Sequence, residues 1–241
     1  MTSGIPGPPG REPKEPEGPR WRFPDPRRAA DDLVAVGADL EPDTLAHAYA
    51  EGLFPMGLGA DGGAPMGWWS PRHRGVLLPG DFHASRSLIR STRHLRVSVD
   101  RAFDAVVAGC ADPSRPGRWI SAEIAAAYQR LHRLGRAHSI DVWREEPTHG
   151  DRRLVGGLYG VVVGGVFAGE SMFHLETDAS KVALLELCRR WFADADDRRL
   201  IDVQWCTPHL ASMGVREIDR AYYLDRLAQA QLVTGLDPLA R

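Results

Sequence analysis

The chain has 241 residues, of which 43% are hydrophobic and 26% charged, and its formal net charge is −2. This balance is ordinary for a soluble globular protein, with length for one large domain or two small ones. The small net charge excludes wholesale coating of nucleic acid, although it is compatible with a local basic face. The chain has neither an apolar run of roughly 18 residues nor a signal-peptide core. We therefore expect a cytoplasmic protein that does not bind membranes.

The cysteines and histidines show no pattern of disulfides or metal ligands. Cys110, Cys188 and Cys206 form no Cys-x-x-Cys pair, and an odd number gives no disulfide framework. Among the histidines, His132 and His138 come nearest to a ligand pair, but they are six residues apart and flank a predicted helix end. We therefore expect no metal site.

The first part of the chain divides into two regions. Residues 1–20 hold six prolines and four glycines and predict a disordered leader. Residues 21–75 predict a small N-terminal domain, with a helix over 44–51 whose apolar positions have helical spacing. Residues 52–75 are rich in Gly, Pro and Trp and predict a structured loop that leads to the main domain.

Strands and helices alternate irregularly through the main domain, residues 76–241. Two β-branched runs, 154–163 and 166–173, meet at Gly164-Gly165, a strong hairpin signal because the favoured turns need positive φ. The mixture predicts an α+β fold, a mixed sheet with helices on its faces. The other predicted elements are strands at 76–78, 95–99, 139–143 and 199–206, and helices at 84–93, 100–111 (capped by Asp100), 121–134 (capped by Ser121), 179–193, 207–213 and 219–231.

Glu170 is an acid inside an otherwise apolar strand. Alternation places it with Ala168 and Met172, and it places Phe167 and Phe173 on the opposite face. A buried carboxylate needs a partner or a substrate cation, whereas an edge position facing solvent needs neither. Both interpretations remain open for Glu170.

The strand over 199–206 repeats this pattern. Asp202 and Gln204 project from one face, and Ile201, Val203 and Trp205 project from the other. An acid and an amide side by side in a central strand indicate polar ligand groups, although a satisfied core hydrogen bond is the alternative.

Three arginines share one side of the predicted helix over 84–93. Arg86, Arg90 and Arg93 follow i, i+4, i+7 spacing, which forms a stripe suited to phosphates. A solvated surface face is the alternative.

A series of short motifs in order along residues 21–225 resembles the leucyl/phenylalanyl-tRNA–protein transferases. A single motif is a weak signal, but this many in order is strong. The matches are Phe23-Pro24, Gly37-x-Asp39-Leu40, Tyr49, Gly52-x-Phe54-Pro55, Trp68-Trp69-Ser70-Pro71-x-x-Arg74, Ser85-Arg86-Ser87, Trp119-Ile120, Ala127-Tyr128, Leu131-His132, Gly135-x-Ala137-His138-Ser139, Leu154-Val155-Gly156-Gly157-x-Tyr159-Gly160-Val161, Gly169-Glu170-Ser171-Met172-Phe173, Ala179-Ser180-Lys181, Ile201-Asp202-x-Gln204 and His209-x-x-Ser212-x-Gly214.

The resemblance implies a fold and an activity. The expected fold is a small N-terminal domain followed by an acetyltransferase-like (GNAT) catalytic domain, here residues 76–241. The expected enzyme uses no metal, coenzyme A or other cofactor. It transfers Leu, Phe or, less well, Met from aminoacyl-tRNA to proteins that begin with Arg or Lys, and the product is marked for degradation by the N-end rule pathway.

The resemblance also assigns site residues. It places Arg86, Arg90 and Arg93 against the tRNA acceptor stem and Trp119 on the terminal adenosine, where an aromatic face stacks on the base. Glu170 and Asp202 lie near the ester and the incoming amine, and Asp202 polarises Gln204. The expected pocket for an aminoacyl side chain unbranched at Cβ is lined by Leu158, Phe167, Leu187 and Ile201.

Two of these positions need interpretation. A neutral amide is a poor base, and an N-terminal amine with a pKa of about 8 is partly neutral at pH 7. We therefore expect Gln204 to orient the attacking nitrogen while carboxylates hold the acceptor's Arg or Lys. At the adenosine site the family typically has a second tryptophan where this chain has Met56. Either Trp119 suffices, or Trp68 or Trp69 compensates, or tRNA binds more weakly.

Two other classes of protein fit such a fold. An acetyl-CoA-dependent N-acetyltransferase needs a glycine-rich loop that binds pyrophosphate at a helix N-terminus. Residues 174–178 contain no glycine and two acids at that position, which disfavours it. A non-catalytic RNA-binding module is disfavoured by Glu170, Asp202 and Gln204.

Overall fold

The structure, a computed structural model, describes residues 20–115, 117–145, 152–234 and 237–240. The predicted disordered leader, apart from Arg20, lies outside the described residues. The strands are β1 (Leu33–Val36), β2 (Phe54–Gly57), β3 (Met66–Trp69), β4 (His73–Leu77), β5 (Arg96–Val99), β6 (Ala137–Glu145), β7 (Arg152–Val163), β8 (Val166–His174), β9 (Leu200–Gln204) and β10 (Arg216–Asp219). The helices are α1 (Pro42–Ala50), α2 (Arg86–Ser91), α3 (Phe103–Cys110), α4 (Ala122–Arg133), α5 (Ala179–Trp191), α6 (Pro208–Ala211) and α7 (Arg220–Gln231).

Two sheets organise these elements. The first has the order β1-β3-β2, and the second has the order β10-β4-β9-β8-β7-β6-β5. In the second sheet β8 and β9 are parallel, while the other neighbouring strands run antiparallel. The expectation of an α+β fold with a mixed sheet and a small N-terminal region is confirmed.

Helices cover both faces of the larger sheet. Ala137 and Ile140 of β6 are three residues apart, so their side chains point to opposite faces of the sheet. They belong to two separate apolar clusters. The Ile140 side is covered by α5, which buries Val182 and Leu187 there. The Ala137 side is covered by α1, α3 and α4, and α7 adds a smaller cluster beyond them. No helix in the described part of the chain is long and apolar enough to cross a membrane.

The strongest local signals gave the correct elements. The hairpin of β7 and β8 turns at Gly164, whose φ is +56°. Ser121 caps α4, because its hydroxyl accepts a hydrogen bond from the backbone N–H of Ile124 at 3.3 Å. Both features depend on residues adjacent in sequence, which is why the sequence predicts them.

Two local predictions are wrong. The segment 52–75 is not a loop, because it holds β2, β3 and the start of β4, which pairs with β9 and β10 and crosses the predicted domain boundary. β4 depends on partners distant in sequence, whereas β2 and β3 pair with each other and are only four residues long each. Asp100 does not cap α3, whose N-cap is Ala102. Instead, the Asp100 carboxylate accepts the Ser139 N–H at 2.8 Å and contacts His138 Nδ1 at 2.7 Å.

Candidate functional site

The site lies where the two parallel strands separate. β8 and β9 pair from Val166 and Leu200 to Ala168 and Asp202, and no further. Beyond that point β8 continues along β7 to His174, while β9 ends beside β4. The separation opens a gap in the middle of the sheet.

An apolar cavity of about 140 Å³ occupies this gap. An engineered apolar cavity of about 150 Å³ accommodates benzene, so this one is large enough for a leucine or phenylalanine side chain. The four predicted pocket residues, Leu158, Phe167, Leu187 and Ile201, come together here. Pattern reasoning missed the remaining lining residues, which are Gly169, Ser171, Met172, Leu184, Val203 and Leu210 beside Glu170 and Gln204.

A β-bulge in β8 corrects the predicted alternation of its side chains. Tyr159 of β7 pairs with Ser171, but the next residue, Gly160, pairs with Gly169, which leaves Glu170 unpaired. An extra residue reverses the faces beyond it. Phe173 therefore lies on the α3 side and Phe167 on the α5 side, although alternation placed the two together.

Glu170 is buried, with 9% of its surface exposed, so the solvent-facing alternative is wrong. Its two carboxylate oxygens accept hydrogen bonds from the hydroxyls of Tyr49 at 2.7 Å and Tyr128 at 2.6 Å. Burial raises the pKa of Glu170 to about 7, and nearby Asp202 adds to this effect. The tyrosine hydrogen bonds and Arg74 oppose the rise. Glu170 can therefore gain or lose a proton near neutral pH.

Asp202 is fully buried and is held by a charged partner. Arg74 donates to both carboxylate oxygens, at 2.8 and 2.6 Å, and Tyr223 donates to one of them at 2.9 Å. The Arg74 guanidinium also lies over the rings of Tyr223 and Phe54, 4.3 and 4.9 Å from their centres. Burial disfavours the guanidinium charge, but Asp202 outweighs it and raises the pKa of Arg74. The residues that line the cavity do not include Asp202.

Gln204 takes a different direction from the one that strand alternation predicts. Its φ is +58°, a left-handed conformation held by a hydrogen bond from its backbone N–H to Asp202 at 2.9 Å. Its side chain consequently lines the cavity with Ile201 and Val203, rather than sharing a face with Asp202. Trp205 turns away to lie edge-on against Phe54. Asp202 thus contacts the Gln204 backbone, and the buried Gln204 amide nitrogen has no hydrogen-bond partner within the described residues.

Trp119 lines a second, smaller cavity of about 60 Å³. Ser171 lines both cavities, so the two adjoin. The segment after β2, the strand that carries Met56, packs on Trp119. A Cβ at Gly62 would lie 1.8 Å from the Trp119 carbonyl oxygen. A Cβ at Gly57, the neighbour of Met56, would in turn lie 2.1 Å from the Gly62 carbonyl oxygen, so Gly62 connects the two predicted adenosine residues.

The two tryptophans proposed to compensate for Met56 differ in position. Trp68 is fully buried and packs against Phe23, with ring centres 4.7 Å apart, so it presents no free face. Trp69 is half-buried, and its indole N–H donates to the Met56 carbonyl at 3.0 Å. Of the two, Trp69 is the one placed beside Met56.

The three arginines predicted to meet tRNA are all exposed. Arg86 and Arg90 lie on α2, which Ser85 caps, but the helix ends at Ser91 and leaves Arg93 in the following turn. The predicted helix over 84–93 is therefore too long, and the stripe is shorter than expected. In the part of the chain that the structure describes, none of the three arginines forms an ion pair.

The N-terminus of α5 carries acids that already have partners. Asp178 pairs with Lys181 at 2.9 Å, and Glu176 pairs with Arg153 at 2.7 Å and also with Arg144. Two carboxylates at the place where an acetyltransferase holds pyrophosphate would repel it. Within the described residues, no group of three or more His, Cys, Asp or Glu could hold a metal ion.

Comparisons with known proteins agree along nearly the whole chain. Residues 76–228 match the family model of leucyl/phenylalanyl-tRNA protein transferase, and residues 38–72 match the model of its N-terminal domain. A leucyl/phenylalanyl-tRNA–protein transferase of Anaeromyxobacter dehalogenans (strain 2CP-C) is 48% identical, over 91% of this chain and 90% of that protein. Its counterpart in Salmonella newport (strain SL254) is 46% identical, over 86% of each chain. Among solved structures, FemX covers 73% of this chain and 66% of its own, at 12% identity and a TM-score of 0.48.

These matches, together with an apolar cavity bordered by buried polar groups, define the class of protein. It is an aminoacyltransferase that takes its acyl group from tRNA. The chain belongs to the leucyl/phenylalanyl-tRNA–protein transferase family.

Proposed function

We propose that this enzyme transfers Leu, Phe or, less well, Met from aminoacyl-tRNA to the α-amine of proteins that begin with Arg or Lys. The product would be marked for degradation through the N-end rule pathway in the cytoplasm. The observation that carries this proposal is the cavity between the separated strands β8 and β9, bordered by Glu170 and Gln204.

The cavity has the features of a pocket for an unbranched apolar side chain. Its lining is mainly apolar, with Leu158, Phe167, Leu187 and Ile201 among its walls. Such a pocket selects by shape, and each methylene it encloses contributes about 1–3 kcal/mol of discrimination. A side chain branched at Cβ has a different shape, which such walls would exclude.

The rest of the substrate extends from this pocket. Ser171 connects the pocket to the cavity lined by Trp119, which suits a terminal adenosine one ester bond away from the aminoacyl group. Stacking of a base on an aromatic ring contributes about 1–3 kcal/mol. The exposed arginines of α2 and the turn after it would provide positive charge for phosphates.

At the reacting centre, Gln204 would orient the incoming amine. Its backbone is left-handed, the residue lines the cavity, and its amide nitrogen has no hydrogen-bond partner among the residues that the structure describes. Fixing the nucleophile at the ester carbonyl can supply several kcal/mol of the barrier reduction. We also assign the domain of residues 76–241 to the acetyltransferase-like (GNAT) class, because its central parallel strands part to form the site.

The direct test measures transfer of radiolabelled Leu from Leu-tRNA to two acceptors that differ only in their first residue, Arg or Ala. We expect label on the Arg acceptor and little on the Ala acceptor. Binding of Leu-tRNA is measured alongside. No transfer to the Arg acceptor while tRNA still binds would contradict the proposed activity, and equal transfer would contradict the acceptor preference.

A further inference from the structure

Two tyrosine hydroxyls and the carboxyl group of Glu170 form a closed ring of contacts behind the cavity. Tyr49 and Tyr128 come from α1 and α4, and Glu170 comes from the bulge of β8. The hydroxyl oxygens of the two tyrosines are 2.7 Å apart. Tyr49 lies 2.7 Å from one oxygen of Glu170, and Tyr128 lies 2.6 Å from the other. Each contact has the length of a hydrogen bond between oxygen atoms.

The number of hydrogens decides the protonation state of this ring. Three hydrogen bonds need three hydrogens, and each tyrosine hydroxyl carries one. If Glu170 is ionised, only two hydrogens are present, and two lone pairs face each other across one of the contacts. If Glu170 is protonated, its own hydrogen completes the ring. Tyr49 and Tyr128 are 3% and 1% exposed, so bulk water does not supply the third hydrogen.

We propose that Glu170, Tyr49 and Tyr128 hold one exchangeable proton, and that Glu170 in its ionised form is the base that deprotonates the incoming amine. This inference rests on the proposed function and assigns its proton transfer to a residue other than Gln204. Glu170 lines the cavity on one side and contacts the tyrosines on the other. A single carboxyl group therefore connects the reacting centre to the ring.

The charged and titratable groups around Glu170 favour such an exchange. Asp202 on β9 raises the pKa of Glu170, and Arg74 on β4 opposes it. The ring of Tyr159 on β7 lies against Tyr128, with centres 5.3 Å apart. Burial is the largest influence and raises the pKa to about 7, near the value that suits a base at neutral pH.

The proposed step balances in atoms and charge. The Glu170 carboxylate takes one proton from the acceptor's α-ammonium, and the free amine attacks the ester carbonyl carbon. The new C–N bond forms, the C–O bond to the terminal ribose breaks, and the ribose oxygen takes a second proton from the nitrogen. Glu170 then releases its proton to solvent. Each turnover yields one amide bond, one free ribose hydroxyl and one proton.

Infrared difference spectroscopy tests the ring without any measurement of activity. Between about pH 5 and pH 9, ordinary carboxyl groups are mostly ionised, so a C=O stretch of a protonated acid reports an unusual group. We expect this band in the wild type, fading through about pH 7, and we expect Glu170→Gln to lack it. A wild type without the band, or a band that persists in Glu170→Gln, would overturn the proposed ring.

The pH dependence of single-turnover transfer tests the base. We expect the wild-type rate to rise with a midpoint near 7. In Glu170→Gln the rate should instead rise with deprotonation of the acceptor's own α-amine, which has a pKa of about 8. Tyr128→Phe opens the ring and leaves Glu170 with one tyrosine partner, so its midpoint should differ from that of the wild type.

Tyr159→Phe is the matched control, because its buried hydroxyl has no hydrogen-bond partner among the described residues. Its pH midpoint should match the wild type. An identical midpoint in wild type and Glu170→Gln would rule out Glu170 as the base. If the wild type transfers no label at all, the proposed function fails, while the infrared result still decides whether the ring holds a proton.

Discussion

Only some of the polar residues of the site line the cavity. Gln204 and Glu170 line it, whereas Asp202 is enclosed by Arg74 and Tyr223. The contact from Asp202 to Gln204 is to the backbone N–H, at 2.9 Å. Asp202 therefore acts as a positioning residue that fixes the turn at Gln204, because its carboxylate does not reach the Gln204 side chain.

Replacing Asp202 should destabilise the protein mainly through the loss of its ion pair with Arg74, rather than through the loss of its hydrogen bond to the Gln204 backbone. Asp202→Asn leaves the buried Arg74 without its charged partner, and such a loss costs about 3–5 kcal/mol. Urea unfolding would measure it. Tyr223→Phe is the control, since it removes one hydrogen bond from the same carboxylate and should cost about 1 kcal/mol. Equal losses in both variants would contradict the role given to the Arg74 ion pair.

Two substitutions of Gln204 distinguish a role in orienting the amine from a role as a base. Gln204→Glu keeps an acceptor oxygen at the same place, so we expect it to retain most of the activity. Gln204→Ala removes the contact and should lose about a hundredfold. Because Glu170 borders the same cavity, single-turnover rates should be compared at high pH, where both carboxyls are ionised. A Glu variant as slow as the Ala variant would contradict orientation.

Among the elements, those that the sequence predicts depend on neighbours along the chain. The Gly164 turn and the Ser121 cap are local signals, and both occur as expected. β1, β2, β3 and β10 were missed because each has only four residues, and β1 and β10 also need distant partners. The sequence of β8 does not show that Glu170 is an extra residue in the strand. The faces to which the side chains after Glu170 point could therefore not be assigned from alternation.

Part of the site could likewise be found from the sequence and part could not. The resemblance marked the four pocket residues, and the cavity brings them together. It also marked Tyr49, Tyr128 and Arg74 as matching positions, but spacing alone gave them no role. Their partners are 121, 42 and 128 residues away along the chain, so only the fold shows that they hold Glu170 and Asp202.

The α2 arginines should contribute to tRNA binding through phosphate contacts. Arg90→Ala should weaken binding of tRNA and reduce the slope of log K against log salt by about one. Arg133→Ala is a matched control. Arg133 is also exposed, but it lies at the end of α4 on the other face of the sheet. Titrations of each variant with tRNA at several salt concentrations would measure this slope. An unchanged slope in Arg90→Ala would show that α2 does not contact tRNA.

For the whole molecule, a buried ion-pair cluster ties the C-terminal segment to the larger sheet. His138 on β6 lies between Asp100, at 2.7 Å, and Asp237, at 3.1 Å, and Leu239 is buried in the α5-side cluster. Burial lowers the pKa of His138, but the hydrogen bond to Asp100 and the nearby charge of Asp237 outweigh it and raise the pKa to about 9. The charged histidine thus helps to hold the segment around Asp237.

This cluster makes stability depend on pH in a predictable direction. A pKa raised from 6.5 to about 9 means that the contribution is complete below pH 6.5 and lost as pH rises through 9. The Tm should therefore fall as pH rises through this window. In His138→Gln the Tm should depend less on pH above pH 7. His73→Gln is the control, because its pair with Asp219 is exposed. A wild-type Tm that is constant from neutral pH to 9 would contradict the assignment.

The central claim is that the gap between β8 and β9 binds the aminoacyl end of a charged tRNA. A crystal structure with a non-hydrolysable aminoacyl-adenosine, carrying a phenylalanyl group, tests it most directly. We predict the phenyl ring in the cavity against Phe167 and Ile201, the adenine on Trp119 and the acyl carbon within reach of Gln204. A phenyl group bound outside this cavity, with the adenine away from Trp119, would contradict the account.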